Sequence, residues 1–290
     1  MPNVIEVAKQ FVPVLDAVYR EASLTAVLDG NPELVQEGAN AGELIIPMLD
    51  MQGMADYSRN GGYVDGDVTL RNETVKCNYD RGRMFTIDAV DNIETAMVPM
   101  ANVSGEFIRT KVTPEEDAFR IASYAGKEGI SKVAAGAELA DGPAVIAAVR
   151  AGMTRMDDDE VPQTDRYLFI RNDLHGLVAD MDTNKSREVL SSFAGVIKMP
   201  PSRFYTAIAM KSGKSGEEAG GYAKAVGAKD INFMIVHKGA VIQFPKHVAP
   251  KIVTPEQNQS GDAWKFGYRK VSIADVYKNK LAGIYLHHKP

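Results

Sequence analysis

One stretch limits what this chain can fold into: a long ribbon from Glu43 to Asp88 that has no core of its own. Its outgoing limb is apolar at Leu44, Ile45, Ile46, Met48 and Leu49, and Pro47 inside it makes it an edge or bulged strand. The middle, Asn60-Gly61-Gly62 and Asp65-Gly66-Asp67, is turn chemistry that supplies positive φ. The return limb alternates, with Val75, Cys77, Tyr79, Phe85 and Ile87 on one parity and Thr74, Lys76, Asn78, Asp80, Thr86 and Asp88 on the other, the signature of a half-buried strand. At about 3.3 Å per residue such limbs outrun most strands that a compact domain covers, and a lone two-stranded ribbon is marginal in water. The ribbon therefore lies on something else: on its own domain as an ordinary hairpin, or on a neighbouring copy of the same protein.

The 290 residues are 45% hydrophobic and 24% charged, enough for one large or two moderate domains. A net charge of -5, with the signs interleaved, provides no basic field for nucleic acid or an anionic membrane. Cys77 is the only cysteine, so no disulfide forms within the chain, and its strand parity makes it a small hydrophobe. No run of about 18 apolar residues is present, and the N-terminus has no basic segment followed by an apolar one, so the expectation is a chain made in the cytoplasm, without a membrane partner.

Residues 4–30 show helical spacing at Val4, Val7, Phe11, Val14 and Val18, broken by Pro13 and ended by Gly30-Asn31-Pro32, with a linker through Gly38, Asn40 and Gly42. After the ribbon, Asp91-Asn92-Ile93-Glu94 is placed as a capping box, and Pro99 and Gly105 would bend the helix that it opens. A sharper start, Thr113-Pro114-Glu115-Glu116, puts an N-cap before Pro, so 91–127 reads as one kinked helix or two in series. Asp141-Gly142-Pro143 begins another helix through Val145, Ile146, Val149 and Met153, with Asp157–Glu160 as an acidic loop. A mixed sheet follows: 166–170, 189–199, 204–210, then 231–236 and 239–244 across a Lys238-Gly239 turn. Between them 211–221 has the polar, glycine-rich composition of a mobile loop, and 264–287 holds aromatic strands on either side of 273–278.

Catalytic signals are sparse. Ser212-Gly213-Lys214-Ser215 ends like a phosphate loop, but Ile208 stands where that loop requires glycine. The acidic run lacks the alternating ligands of an EF-hand, and His287-His288 reads as an exposed tail. His175 beside Asp173 allows a loop acid–base pair, and with it a small soluble enzyme as an alternative; a surface histidine is the simpler account. No cofactor or metal site is expected, and no enzymatic activity.

The order of parts resembles the major capsid proteins of tailed bacteriophages, the Hong Kong 97-type fold shared with encapsulin shells. The resemblance rests on the N-terminal arm, the extended loop with its return strand Arg83-Met84-Phe85-Thr86-Ile87-Asp88, and Val112-Thr113-Pro114-Glu115-Glu116-Asp117-Ala118. It continues through Val161-Pro162, Asp165–Ile170, Gly195–Pro200 with Arg203-Phe204, and the end from Ile235 through Phe266–Arg269 to Gly283-Ile284-Tyr285. It implies an α+β fold: an N-terminal arm (1–42), an extended β-hairpin loop (43–90), a peripheral domain with a long spine helix (91–135 and 246–282) and a mixed-sheet axial domain (136–245 and 283–290). It further implies self-assembly of pentamers and hexamers into an icosahedral head shell around double-stranded DNA, without sequence-specific binding, assembled in the host cytoplasm and located in the virion. A portal and a separate scaffolding protein are the implied partners; an encapsulin-like cargo compartment is the alternative. The residues expected at subunit interfaces are Arg59, Asp65, Asp67, Arg71, Glu73, Lys76, Arg81 and Arg83 of the ribbon, with Glu115 and Glu116. The loop 211–221 is expected near the capsomer axis.

Overall fold

Strand periodicity in the second half of the chain builds a sheet with two buried faces. The computed structural model describes residues 23–30, 36–37, 43–59, 61–89, 104–181 and 183–290. Strands β5 (Ser131–Lys132), β6 (Arg166–Arg171), β7 (Gly195–Met199), β10 (Ile231–His237) and β13 (Ile284–His288) form one sheet in the order β5-β13-β10-β6-β7. The two central neighbours of β10 are antiparallel to it, while the outer pairs, β13 with β5 and β6 with β7, are parallel. Leu168, Ile170, Phe233, Ile235 and Tyr285 point to one core; Phe169, Met234, Val236, Ile284 and Leu286 point to the other. That is why 231–236 reads as a nearly continuous apolar run: each parity has its own cover.

Helices α2 (Gly142–Asp158), α3 (Asn172–Ala179) and α4 (Asn184–Ser191) cover the first face through Val145, Val149, Met156, Leu174, Val178 and Val189. The Asp141 side chain caps α2 by accepting from the Ala144 N–H at 2.8 Å, as its sequence predicts. Gly152 lets this helix sit close, since a Cβ there would lie 2.7 Å from the Tyr285 ring. The acidic run is not a free loop: α2 continues to Asp158, Asp157 pairs with the buried Arg166 at 2.7 Å, and only Glu160 turns with positive φ. Residues 189–194 are the end of α4 and a bend, so the strand expected there begins only at Gly195.

The opposite face is covered by α1 (Thr113–Ala125), through Ile121, Tyr124 and Ala125. Here the expected second helix start is corrected. Residues 104–107 are helical, 108–112 form a π turn, and Val112 and Thr113 have helical φ and ψ. Thr113 donates both its backbone N–H and its Oγ1 to the Ile108 carbonyl, the latter at 3.1 Å, so the wider turn absorbs the donor that Pro114 lacks. Among the described residues the chain is therefore one helix from 104 to 125. The capping box expected at 91–94, Pro99, the helix expected before residue 23 and Asn60 lie outside the described residues.

A second sheet, β11 (Val241–Val253), β12 (Ala263–Val276) and β4 (Tyr79–Asp88), is antiparallel throughout. β10 and β11 are not a hairpin; the 3-10 turn Lys238–Ala240 carries the chain from one sheet to the other. β12 is one strand through 273–276, where a break between two strands was expected. Strand β2 (Glu43–Met51) pairs with β3 (Val68–Lys76) from Glu43↔Lys76 to Met51↔Val68, with β1 (Gln36–Glu37) on the outer side of β2. The return limb is thus two strands in series, β3 in the arm and β4 in the body. Asn78 joins them by bonding both backbone groups of Ala274, at 2.8 and 3.1 Å, while Cys77 packs beside Val75, Ile242 and Phe244. No helix among the described residues is long and apolar enough to cross a membrane.

Candidate assembly surfaces

Residues 51–59 and 63–70 of the arm present their side chains to solvent. Of ten large exposed apolar residues among those described, seven lie in the arm, including Met54, Tyr57, Tyr63, Val64 and Leu70. Tyr57 and Tyr63 meet at its tip with ring centroids 4.9 Å apart. Arg59, Asp65, Asp67 and Lys76 are exposed, and Arg71 and Glu73 stand on β3 opposite Met48 and Ile46.

Arg81 and Arg83 are engaged at the root of the arm. On the inward parity of β4, the Arg81 guanidinium donates to Glu115 Oε1 at 2.8 Å, to the Lys211 carbonyl at 2.7 Å and to the Gly221 carbonyl at 3.2 Å. Arg83 donates to the carbonyls of Glu218 and Ala219, at 2.7 and 3.3 Å. The loop 211–221 between β8 (Ile208–Met210) and β9 (Tyr222–Lys224) is therefore docked on β4, contrary to the mobile loop expected from its composition. Its glycines are needed for that path: Gly213 and Gly220 have φ of +72° and +63°, and a Cβ at Gly220 would come within 2.8 Å of the Arg83 guanidinium. Loop, β4 and the helical stretch 106–115 enclose a groove of about 1110 Å³, whose lining includes Phe85, Phe107, Tyr268 and Lys270.

Glu115 and Glu116 are turned inward. Glu115 accepts from Arg81 and from the Tyr79 hydroxyl, whose pKa is raised by burial and by that carboxylate. Glu116 is fully buried and lies 2.8 Å from Arg120 and 2.7 Å from Lys270. Burial pushes the Lys270 ammonium down to about 8, with Glu116 opposing the shift. Within one chain Glu116 is fully enclosed, while Glu115 keeps a little surface on the groove; both are paired with cations from distant strands.

Next to them lies a cluster that sequence reasoning missed. Buried Asp117 accepts from Ser23 Oγ (2.8 Å), the backbone N–H groups of Leu24 and Thr25 (3.2 Å each), Thr25 Oγ1 (2.7 Å) and Arg203 (3.3 Å). Arg120 donates to Thr25 Oγ1 at 2.9 Å, and Gln243 donates to the Thr25 carbonyl and to Asp29. Asp117 of α1 thus holds residues 23–25, while Arg120 and Gln243 hold Thr25 and Asp29. The partners are about 90 to 220 residues away in sequence, so the only local signal was Glu116 four residues before Arg120.

The remaining candidates separate. Asp173 is taken by Arg171 and not by His175, so the expected acid–base pair is not formed. His175 has its pKa lowered by burial and by Lys198. Ser212–Ser215 leads to a strand and not to the helix of a phosphate loop. His287 is no tail residue: it lies buried in β13, stacked on Phe233 with centroids 4.9 Å apart and 3.1 Å from Asn232 Nδ2, and burial pushes its pKa down to about 4. Among the described residues no His, Cys, Asp and Glu cluster has the geometry of a metal site.

This architecture has counterparts among solved structures. The mature capsid of bacteriophage PhiM1 matches at a TM-score of 0.58 and 11% identity over 86% of this chain and 82% of that one. The capsid structure of cyanophage P-SCSP1u matches at 0.56 and 11% identity, covering 88% and 85%. A virus-like particle from Pyrococcus furiosus matches at 0.57 and 11% identity, covering 96% and 98%. The chain has the capsid fold of tailed bacteriophages. No family model and no curated protein matches its sequence. The capsid fold agrees with the α+β architecture implied by the sequence resemblance.

Proposed function

We propose that this chain is the major capsid protein of a tailed bacteriophage, a subunit that associates with copies of itself as pentamers and hexamers into an icosahedral shell around double-stranded DNA. The observation that carries the reading is an arm that holds seven of the ten exposed large apolar residues among those described, on a body of capsid fold. In this reading β12, most of β11 and α1 belong to the peripheral domain (91–135 and 246–282), and β4 closes the extended loop (43–90). β6, β7, β10, β13 and α2–α4 belong to the axial domain (136–245 and 283–290). The bulge between Pro245 and His247 and the 3-10 turn Lys278–Gly283 support these boundaries. Residues 1–42 form the N-terminal arm, of which 23–29 pack on the spine helix.

Interfaces of this kind bury on the order of 2,000 Å² or more. The arm charges Arg59, Asp65, Asp67, Arg71, Glu73 and Lys76 select partner and register more than they add affinity. The net charge of -5 suits a container whose cargo moves, since it offers DNA little attraction. A portal and a separate scaffolding protein complete the proposed partners, with assembly in the host cytoplasm and the shell in the virion.

The test is electron microscopy and sedimentation velocity of the purified protein and of a variant lacking 53–68. Closed shells from the full chain and soluble, folded, unassembled subunits from the deletion are expected. Shells of normal size from the deletion variant would overturn the role of the arm. A packaged enzyme in place of nucleic acid in native particles would move the assignment to an encapsulin-like compartment.

A further inference from the structure

Residues 131–138, on the way from α1 to α2, form a strap along β13 of the five-stranded sheet. Ser131 and Lys132 pair with Tyr285 and Leu286, the Val133 N–H donates to the Leu286 carbonyl at 3.1 Å, and the Ala137 N–H donates to the His288 carbonyl at 3.0 Å. Gly136 turns with φ of +73°, and a Cβ on it would lie 2.5 Å from the Lys289 carbonyl oxygen. Val133 and Leu139 pack on the core that holds Phe233 and Tyr285. One buried side chain grips the strap from inside the sheet. The Asn232 Nδ2 atom donates to the Ala137 carbonyl at 2.8 Å and lies 3.1 Å from His287 Nδ1.

An amide nitrogen has two hydrogens and accepts none, so these two contacts use both. The neutral His287 ring therefore accepts at Nδ1 and carries its own proton on Nε2. Asn232 Oδ1 is buried and has no hydrogen-bond partner among the described residues, a rare condition for a polar atom. A further proton on His287 has to go to Nδ1, where it makes a donor that faces the Asn232 donors. Turning the amide over gives this proton an acceptor in Oδ1, but it also sets Oδ1 against the Ala137 carbonyl, acceptor against acceptor. Asn232 can serve Ala137 together with a neutral His287, and not with a protonated one.

We propose that Asn232 is an acid switch: protonation of His287 turns its amide from the Ala137 carbonyl to the ring and releases residues 133–138 from β13. His288 cannot replace His287 in this. Its Nδ1 lies 2.6 Å from the Lys289 carbonyl, which only accepts, so its added proton goes to Nε2 and breaks no bond. The other charged groups nearby are the Lys289–Glu138 pair at 3.5 Å and the Lys224–Asp230 pair before β10. Phe233 covers the His287 ring, and α2 meets this core through Val145, Val149 and Met156. Burial first, and then His288, hold His287 neutral, with its pKa about 4 against an ordinary 6.5. Release gives the ring water, so the released form gains as pH falls from about 6.5 and stops gaining below about 4. The device belongs to the single subunit and does not rest on the shell reading.

Hydrogen exchange of the full chain, read by mass spectrometry from about pH 7 to about pH 4 with labelling times scaled to the intrinsic rate, follows the strap against the sheet centre at 166–171 and 231–237. Between about pH 6.5 and 4 the strap is expected to lose about tenfold or more of its protection while the sheet centre keeps its own. In His287→Gln, whose side-chain carbonyl accepts without titrating, the loss should vanish. In Glu138→Gln, which removes the exposed carboxylate beside the strap, it should persist. An unchanged strap in the parent, an equal loss in the strap and the sheet centre, or disappearance of the loss in Glu138→Gln overturns the proposal. So does a loss in His287→Gln equal to the parent's; if that variant does not fold, the parent and Glu138→Gln still decide.

Discussion

The spine cluster and the arm hold similar numbers of charges and use them in opposite ways. Around α1, Glu116, Asp117, Arg120 and Lys270 are each at most 2% exposed and paired across elements. In the arm, Arg59, Asp65 and Asp67 stand in solvent beside exposed tyrosine, valine and methionine side chains. A buried ion network is costly to break but contributes little net stability over an apolar core, so its use is to fix one arrangement. The comparison separates a region that settles its own geometry from one whose apolar surface stays in solvent.

The sharpest way to break this contrast is Arg120→Ala, which leaves Glu116 with Lys270 alone and removes a donor from Thr25. We expect a loss of about 3–5 kcal/mol in urea unfolding of the unassembled subunit. A loss under about 1 kcal/mol would place the cluster among ordinary surface pairs. Asp117→Ala should cost somewhat less, about 3 kcal/mol, because Ser23, Leu24 and Arg203 are partly exposed and can recruit water, so that only the donors of Thr25 are left buried; the same titration measures it. An effect equal to that of Arg120→Ala would mean that the clamp on residues 23–25 matters as much as the ion network.

Arg81→Ala tests the boundary between the regions. It frees the Lys211 and Gly221 carbonyls, and the expected change is about 1–3 kcal/mol with markedly faster tryptic cleavage at Lys211 and Lys214. Unchanged cleavage would show that Arg83 alone holds the loop. The smallest effect is expected from acid. His287 is held neutral in the fold, with its pKa about 4 against an ordinary 6.5. The unfolded chain therefore binds more protons between these values, so stability falls as pH drops from about 6.5 to 4 and this contribution levels off below. His287→Gln should flatten that part of the melting-temperature profile; an unaltered slope would assign it to the carboxylates.

How much of this was legible follows from where each signal lies. The alternation of β4 and the Asp141 cap of α2 are local, and both were read correctly. The break between β3 and β4 was not, because Asn78 keeps the strand parity while its side chain bonds Ala274, 196 residues later. Thr113-Pro114 has every mark of a helix start, and only the π turn before it lets the helix pass through. Glu115 and Glu116 looked like surface acids because their partners Arg81 and Lys270 come from strands far away in sequence. The docked loop was misread for the same reason: it is held through carbonyls, which composition does not distinguish.

The Asn78 junction also bears on how such a chain can vary through insertion and deletion. With the side-chain amide seated on Ala274, the body fixes the phase of every residue before it. One residue added between Asn78 and the arm would turn the whole ribbon over, exchanging the faces of β2 and β3, whereas two would only lengthen it. Variation in arm length should therefore come in even steps on this side of the tip, and odd changes should gather in 52–67, where no ladder counts them.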